Sequence, residues 1–352
     1  MTKRLMAPLC ALLLLAAGCN AFQQSLPVGM IKTVNGGADW QFSNQMKTGS
    51  ATLAGQSIAK LDFDPANRQV VFAGSYTGGL YRSDDAGASW SNVLSKIYVY
   101  DFAISPTDSQ TIYAAGFYAD HGRVLKTTDG GASWNQIYNE ESATNPVRAL
   151  TLNPADSNQL IAGLASGSLV KSSDGGQSWQ LLQNFKDQIN RIFWRGADIY
   201  VLLKTQGLKV SGDGGQTFSS LVDSLSQKQS VAGISYSQNT VGSYSQAYVD
   251  AAAANLIYLT TDKGLYKSVD GGQSWQLQTL PVKPGAGSAR AVTVAPSSSN
   301  VVMASVGNTI YKSLDGGQSW QTQSVASGGF VNYLLIDPQL PQIAYGGIYS
   351  SQ

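Results

Sequence analysis

An all-β ring of seven repeated units, each a four-stranded antiparallel sheet, is the fold this sequence predicts: a seven-bladed β-propeller whose last blade is closed by both termini. Three observations predict it. One pattern, Ser/Thr-x-Asp-x-Gly-x-Ser/Thr-Trp, recurs seven times and ends at Trp40, Trp90, Trp134, Trp179, Phe218, Trp275 and Trp320. Between its copies a second theme recurs, an apolar run ending in Pro, a polar loop, then a β-branched or aromatic run. The two ends of the chain carry complementary halves of the unit. A fixed period of roughly 40 to 50 residues signifies stacked units of one body, which overrides the two domains that 352 residues would otherwise suggest.

Each copy of the short pattern has the chemistry of a hairpin corner. The side chains of Asp85, Asp129, Asp174, Asp213, Asp270 and Asp315, with Asn35 in the first copy, can take up backbone N–H groups of a tight loop together with the Ser/Thr hydroxyls. Glycine supplies the positive φ of the reversal, and the closing aromatic opens the next strand with a large apolar surface. The expected role of these aspartates is structural. A calcium loop would need further oxygens at alternate positions, which are missing.

The second theme reads as the first two strands of each unit: residues 58–65 then 70–74, 100–106 then 111–116, 147–154 then 160–163, and 290–296 then 301–305. A third strand enters each corner, as at residues 79–82 and 264–267, and a fourth leaves it, completing the blade of a propeller. Residues 30–33 and 40–43 supply a third and fourth strand without a first and second; residues 330–338 and 342–346 supply the missing pair. Joined, they remove two exposed sheet edges. Two units deviate. The fifth corner has Phe218 for Trp and follows a short hairpin, residues 189–203, with Gly196 in place of Pro. The sixth carries an excursion, residues 238–255, containing Tyr244, Tyr248 and the alanines 251–254. It is expected between the unit's first two strands on the corner side, either as a partner-binding ornament or as a tolerated surface insertion.

The N-terminus differs in kind. Lys3 and Arg4 precede an apolar run over residues 5–17 and then Gly18-Cys19, an export signal too short to span a bilayer. Its end, Leu15-Ala16-Ala17-Gly18-Cys19, resembles the lipobox of bacterial lipoproteins, although Ala16 stands where that family most often has Leu. The resemblance implies acylation of Cys19 and the layout 1–18 signal peptide, 19–28 short tether, 29–352 propeller. The other reading is an ordinary signal that leaves Cys19 as a free thiol. Cys10 lies inside the signal, so the mature chain keeps one Cys and no internal disulfide. Without Lys3 and Arg4, 23 basic residues become 21 against 22 acidic ones. Nothing electrostatic would then hold the protein on an anionic bilayer, whereas acyl chains would, at about 0.8 kcal/mol per buried CH₂. The expected place is an extracytoplasmic membrane surface, periplasmic or cell-surface. Only 13% of residues are charged and no basic face emerges, which excludes nucleic acid as a partner.

The corner pattern resembles the Asp-box, or bacterial neuraminidase repeat, found in sialidases, two-propeller xyloglucanases, the sortilin ectodomain and the photosystem II assembly/stability factor-like propellers. In form the chain resembles the last group above all, through its Asp-Gly-Gly-x-Ser-Trp boxes, as at Asp174–Trp179, and its lipobox. That resemblance implies a seven-bladed disc and a non-catalytic role in assembling a complex. The box is specific for fold and weak for function.

Enzyme chemistry finds little support in the residues. The Arg-Ile-Pro signature of sialidases is missing, and the only glutamates, Glu140 and Glu141, are adjacent in sequence. Glycoside hydrolysis needs two carboxyl groups roughly 5 to 9.5 Å apart, and xyloglucanases place theirs on two opposing propellers. His121 is the sole histidine, too few for a multi-histidine metal site, and it reads as a solvated loop residue. No cofactor or metal is expected.

A binding surface remains. Alignment of the first strands on their terminal Pro puts Tyr100, Arg148, Asn190, Arg290 and Asn332 at equivalent places near one mouth of the channel, with Lys60, Asp101 and Arg191 one residue inward. Neighbouring loops add Tyr76, Tyr118, His121, Arg123, Tyr138 and Glu140. Arg and Tyr are typical hot-spot residues, and the photosystem-assembly relatives carry an arginine-rich patch. Arg148 and Arg290 either recognise a partner or merely pair with carboxylates and carbonyls at the rim. The expected function is a membrane-anchored, extracytoplasmic propeller that binds a protein partner or assists a membrane complex; the alternative is a carbohydrate-binding or glycosidase-related propeller.

Overall fold

A computed structural model of the protein describes residues 26–49, 52–225, 230–231, 234–235, 241–250, 255–282 and 287–350. The signal, Cys19 and the alanines 251–254 lie outside the described residues. Seven four-stranded antiparallel sheets account for nearly all the regular structure, beside one two-stranded hairpin and a single 3-10 turn at Asp223–Leu225. Among the described residues no helix is long and apolar enough to cross a membrane.

Burial falls from the middle of each sheet outward, which explains the composition of its strands. In blade one, numbered by its first strand, these are Ile58–Phe63, Val71–Ser75, Gly79–Ser83 and Ser91–Leu94. The second strand is covered on both faces by neighbouring blades, so Val71–Ser75 and its counterpart Ile257–Thr261 are buried throughout. The fourth strand forms the rim, so Gln180–Asn184 is mostly exposed, Leu181 included. The core is therefore seven slabs between adjacent blades. One slab joins Phe72 and Leu80 of blade one to Val99, Phe102 and Ile112 of blade two. Another joins Met30 and Tyr345 of blade seven to Leu53, Ile58 and Leu61 of blade one.

Blade seven is built from both ends of the chain, in the strand order Gln41–Phe42, Met30–Thr33, Ala344–Tyr349, Phe330–Ile336. Ile31 pairs with Phe42 on one side and Gly346 on the other, and Gly346 pairs with Leu334.

The corners are closed by their own side chains. In blade two, Thr127 Oγ1 accepts the Gly131 N–H at 3.0 Å and donates to Asp129 Oδ1 at 2.6 Å; Asp129 accepts the Ser133 N–H at 2.9 Å and the Ser133 hydroxyl at 2.5 Å. Gly130 and Gly131 take φ of 71° and 100°, a region that side chains disfavour. The same bonds recur at Asp85, Asp174, Asp213, Asp270 and Asp315.

Two kinds of bond latch corners to their neighbours; both are made between blades seven and one, one and two, and two and three, the cation bond alone between five and six and between six and seven, and the indole bond alone between four and five. The cation ahead of the corner Ser/Thr crosses the interface to a carbonyl of the next corner: Lys32 to Ala86 at 2.7 Å, Arg82 to Gly130, Lys126 to Gly175, Lys267 to Gly316 and Lys312 to Gly36. On the way four of them lie over second-strand rings, as Lys126 does over Tyr113 at 5.3 Å. In return, the corner indole donates to the outer strand of the preceding blade: Trp90 to Ser43 O, Trp134 to Val93 O, Trp179 to Ile137 O and Trp275 to Leu221 O, at 2.7 to 2.9 Å. Between blades three and four both bonds are missing. Lys171 lies over Trp194, and Phe218, which has no N–H to give, packs edge-on against Phe185.

The excursion expected at residues 238–255 is arranged differently. Tyr244 and Tyr248 belong to the first strand of blade five, Tyr244–Val249, which pairs directly with Ile257–Thr261. The added length lies ahead of that strand, in the connection from Ser219–Ser220, which includes the small hairpin of Ser230–Val231 with Ile234–Ser235. That connection starts and ends on the face opposite the corners. The Pro that follows five of the other six first strands is replaced here by Asp250-Ala251, which hid the strand in the sequence.

Candidate functional site

The seven first strands line a central channel, and each carries a register shift one step from the same end. The shifts fall between Ile58 and Lys60, Val99 and Asp101, Val147 and Ala149, Ile189 and Arg191, Tyr244 and Gln246, Ala289 and Ala291, and Val331 and Tyr333. The residues skipped are Ala59, Tyr100, Arg148, Asn190, Ser245, Arg290 and Asn332. A bulge leaves its residue out of the ladder and re-aims its side chain. The positions aligned from sequence are thus a ring of bulges, and all of them except Ala59 line one open cavity of about 520 Å³ at the channel mouth.

Aromatic rings and guanidinium groups share that cavity. Tyr76 lies 5.3 Å from Tyr100 and 5.4 Å from Tyr349. Arg148 stacks over Tyr100 at 4.9 Å and Arg290 over Phe330 at 4.5 Å. Among the described residues neither guanidinium meets a carboxylate, so the ring faces, rather than ion pairs, hold them in place. Burial pushes the Tyr100 hydroxyl above its usual range, against the opposing pull of Arg148. Three arginines and no acid line the cavity.

Arg191 sits deeper and is of another kind. Its side chain is mostly buried, donates to Ala59 O at 3.1 Å, lies 3.9 Å from Asp101 Oδ2 and covers the Tyr333 ring at 5.3 Å. Lys60 meets Asp101 Oδ1 at 2.8 Å and donates to Phe102 O. Asp101 also accepts the N–H groups of Phe102 and Leu150. Burial works against the charge on Lys60, but Asp101, Tyr333 and Asp62 together more than offset it and hold its pKa up; at Arg191, Asp101, Tyr333 and Tyr76 together do the same. This cluster ties blades one, two and four together and separates the mouth from a second channel cavity of about 450 Å³.

The structure does not bring Tyr118 and Arg123 to the mouth. They lie on the second and third strands of blade two, with Arg123 stacked over the Tyr118 ring at 5.3 Å and bonded to Gln136. Nearby, His121 Nδ1 contacts Glu140 O at 2.8 Å, and Tyr138 donates to Glu140 Oε2 at 2.7 Å. None of these residues lines the cavity. Tyr98, Ser245, Gln246 and Tyr349 do, and were not singled out from sequence. The position of Ser245 would have followed from placing blade five's first strand; Tyr349 needed the ring closed. Among the described residues no group of three His, Cys, Asp or Glu side chains could hold a metal ion.

Comparison with known proteins finds this fold in propellers of three kinds. Residues 78–206 match the family described as Sortilin-Vps10 (sortilin, neurotensin receptor 3). A xyloglucanase of Hypocrea jecorina is 27% identical over 135 residues, 32% of this chain and 16% of that protein. The GH74 xyloglucanase from Xanthomonas campestris superposes with a TM-score of 0.66 at 20% identity, covering 84% of this chain and 51% of that one. YCF48 bound to D1 peptide superposes with a TM-score of 0.61 at 14% identity, covering 87% of this chain and 96% of that one. The chain thus spans about half the length of the xyloglucanase structure and a sixth of the curated xyloglucanase, but nearly all of YCF48. These likenesses concern the fold: a seven-bladed propeller with sortilin-type, YCF48 and xyloglucanase neighbours.

Proposed function

We propose that this protein is a non-catalytic binding propeller, held on an extracytoplasmic membrane surface by acylation of Cys19, that takes a segment of a protein partner at the channel mouth and so assists a membrane complex. One observation carries the reading: a cavity formed by a ring of bulges presents Arg148 and Arg290 on aromatic faces with no acid to satisfy them. Such groups are held ready for an anionic, partly aromatic or apolar segment. The single-disc likeness to YCF48 bound to D1 peptide supports a peptide ligand. In this reading residues 1–18 are removed, 19–28 form the tether, and the disc follows.

A glycan ligand is the second reading, favoured by the stretch of xyloglucanase likeness and by the adjoining, tilted rings of Tyr76 and Tyr100. Against hydrolysis stands the lack of any carboxylate in the cavity lining. The test is an array of extended peptides of graded acidity, probed with wild type and with the Arg148→Ala/Arg290→Ala double variant, beside an assay for sugar release from xyloglucan. Binding of acidic peptides by wild type alone supports the proposal; release of xyloglucan oligosaccharides overturns it.

A further inference from the structure

The path of the chain's first described residues bears on how the disc is presented. Leu26, Pro27 and Val28 run along the mouth face of blade seven, where Gly328 N donates to Pro27 O at 3.0 Å and Asn44 Nδ2 to Val28 O at 3.0 Å. They line a small cavity together with Ser57, Thr77 and Ser350, residues that also line the mouth. The segment that leads back to Cys19 therefore departs beside the candidate site.

Its length limits what it can do. Seven residues from Cys19 to Leu26 extend to at most about 25 Å. A strand such as Ile112–Tyr118, seven residues long, crosses the disc from corner face to mouth face over about 23 Å. An anchor at residue 19 reaches the plane of the mouth with slack, but reaching the plane of the corners would use the whole tether along the rim. The two faces also differ chemically. The corner face displays its six corner aspartates with Asp108 and Asp156 beside them, all kept ionised by hydrogen bonds, and the latch cations Lys32, Arg82, Lys126, Lys267 and Lys312 among them are fewer and turned onto corner carbonyls; such a face is disfavoured beside anionic lipid. Both faces expose apolar side chains, but those of the corner face, Val34, Val269, Leu314 and Leu340, are aliphatic, whereas the mouth face exposes Tyr98, Tyr118 and Phe330 beside Leu26, and its loops carry the exposed Lys96, Lys186 and Lys204 along with Asp120 and Glu141. Aromatic and cationic side chains suit the interfacial zone of a bilayer.

We infer that the disc is held with its mouth toward the bilayer, so that the mouth's occupant is a membrane-proximal segment of a membrane-embedded protein. This rests on the proposed acylation of Cys19 and on the mouth as the binding site. A cavity facing lipid across a gap of at most about 25 Å admits a loop or terminus that emerges from the same membrane far more readily than a bulky soluble protein.

The lipidated full chain is reconstituted in vesicles of phosphatidylethanolamine and phosphatidylglycerol. A fluorophore is placed at Ser166→Cys on the mouth face or at Ser173→Cys on the corner face, both exposed positions, and headgroup-quencher lipid is added. The expected result is quenching several-fold stronger at position 166. Equal quenching, the reverse order, or failure of the chain to stay with the vesicles overturns the inference. Equal melting temperatures of the two labelled variants establish that both are folded. Acidic-peptide binding in detergent reads the mouth separately: its loss with the quenching order intact removes the binding reading and leaves the orientation standing.

Discussion

Arg148 lies over the ring of Tyr100, 4.9 Å from its centroid, and its charge is answered by that ring instead of by a carboxylate. Arg290 repeats the arrangement on Phe330. Stacking fixes a guanidinium without consuming its hydrogen-bond donors, which are left for a ligand.

The double variant Arg148→Ala/Arg290→Ala is therefore expected to lose peptide binding by at least tenfold while melting as wild type does. Peptide titration and thermal unfolding, run side by side, check it. A matching fall in melting temperature would instead make both arginines parts of the scaffold.

Arg191 belongs to a different experiment, because it is buried against Asp101 with Lys60 on the other side. Asp101→Ala leaves two buried cations without their counter-charge and is expected to cost about 3–5 kcal/mol, measured by urea unfolding. A loss below about 1 kcal/mol, that of an exposed pair, would show that the cluster does not hold the channel together.

The corner aspartates give the molecule an acid limit. Hydroxyl groups four residues on, at Ser133, Ser178, Thr217 and Ser319, are the main cause holding Asp129, Asp174, Asp213 and Asp315 well below the usual carboxylate range; Ser274 holds Asp270 at about 2. The folded pKa lies below the unfolded value of 3.8, so the unfolded chain binds more protons between the two. The contribution is fully present above about pH 4 and is lost as the pH falls toward about 2. Melting temperature is expected to be level above about pH 5 and to fall steeply in that acid window, less steeply in Asp270→Asn. An acid limb unchanged by this substitution would remove the corner carboxylates from the account.

The indole latch separates into two parts by substitution at the fully buried Trp90. Trp90→Phe loses the N–H bond to Ser43 O and is expected to cost about 1 kcal/mol. Trp90→Ala also opens a cavity and is expected to cost about 3–5 kcal/mol. Equal losses would mean that the packing of the ring contributes little beside the bond between blades.

The sequence revealed those parts of the molecule that depend on residue identity at fixed local spacing. A corner such as Thr127 to Trp134 needs a hydroxyl, a carboxylate, a glycine and an aromatic within eight positions, so it could be read directly. The pairing of residues 30–33 with residues 344–349 followed from counting complementary half-units. The mouth positions Tyr100, Arg148 and Arg290 aligned because a bulge recurs at one place in every first strand, although a bulge is a property of register and leaves no residue signature. The latch from Lys32 to Ala86 was hidden because its two ends lie in different repeats. Tyr118 and Arg123 were grouped with the mouth because their loop lies on the right face; their distance from the axis was not encoded locally.

Closure by both ends has a consequence in time. The strand Met30–Thr33 is synthesised long before its partner Ala344–Tyr349. Contacts between such distant positions are slow to form, and until they do an early strand waits with an open edge. A nascent chain can stack blades one to six in order, but the seam that turns the stack into a ring is set only once Ala344–Tyr349 has been made. Ring closure thus reports on that strand: a chain truncated anywhere before it leaves Met30–Thr33 paired with Gln41–Phe42 alone.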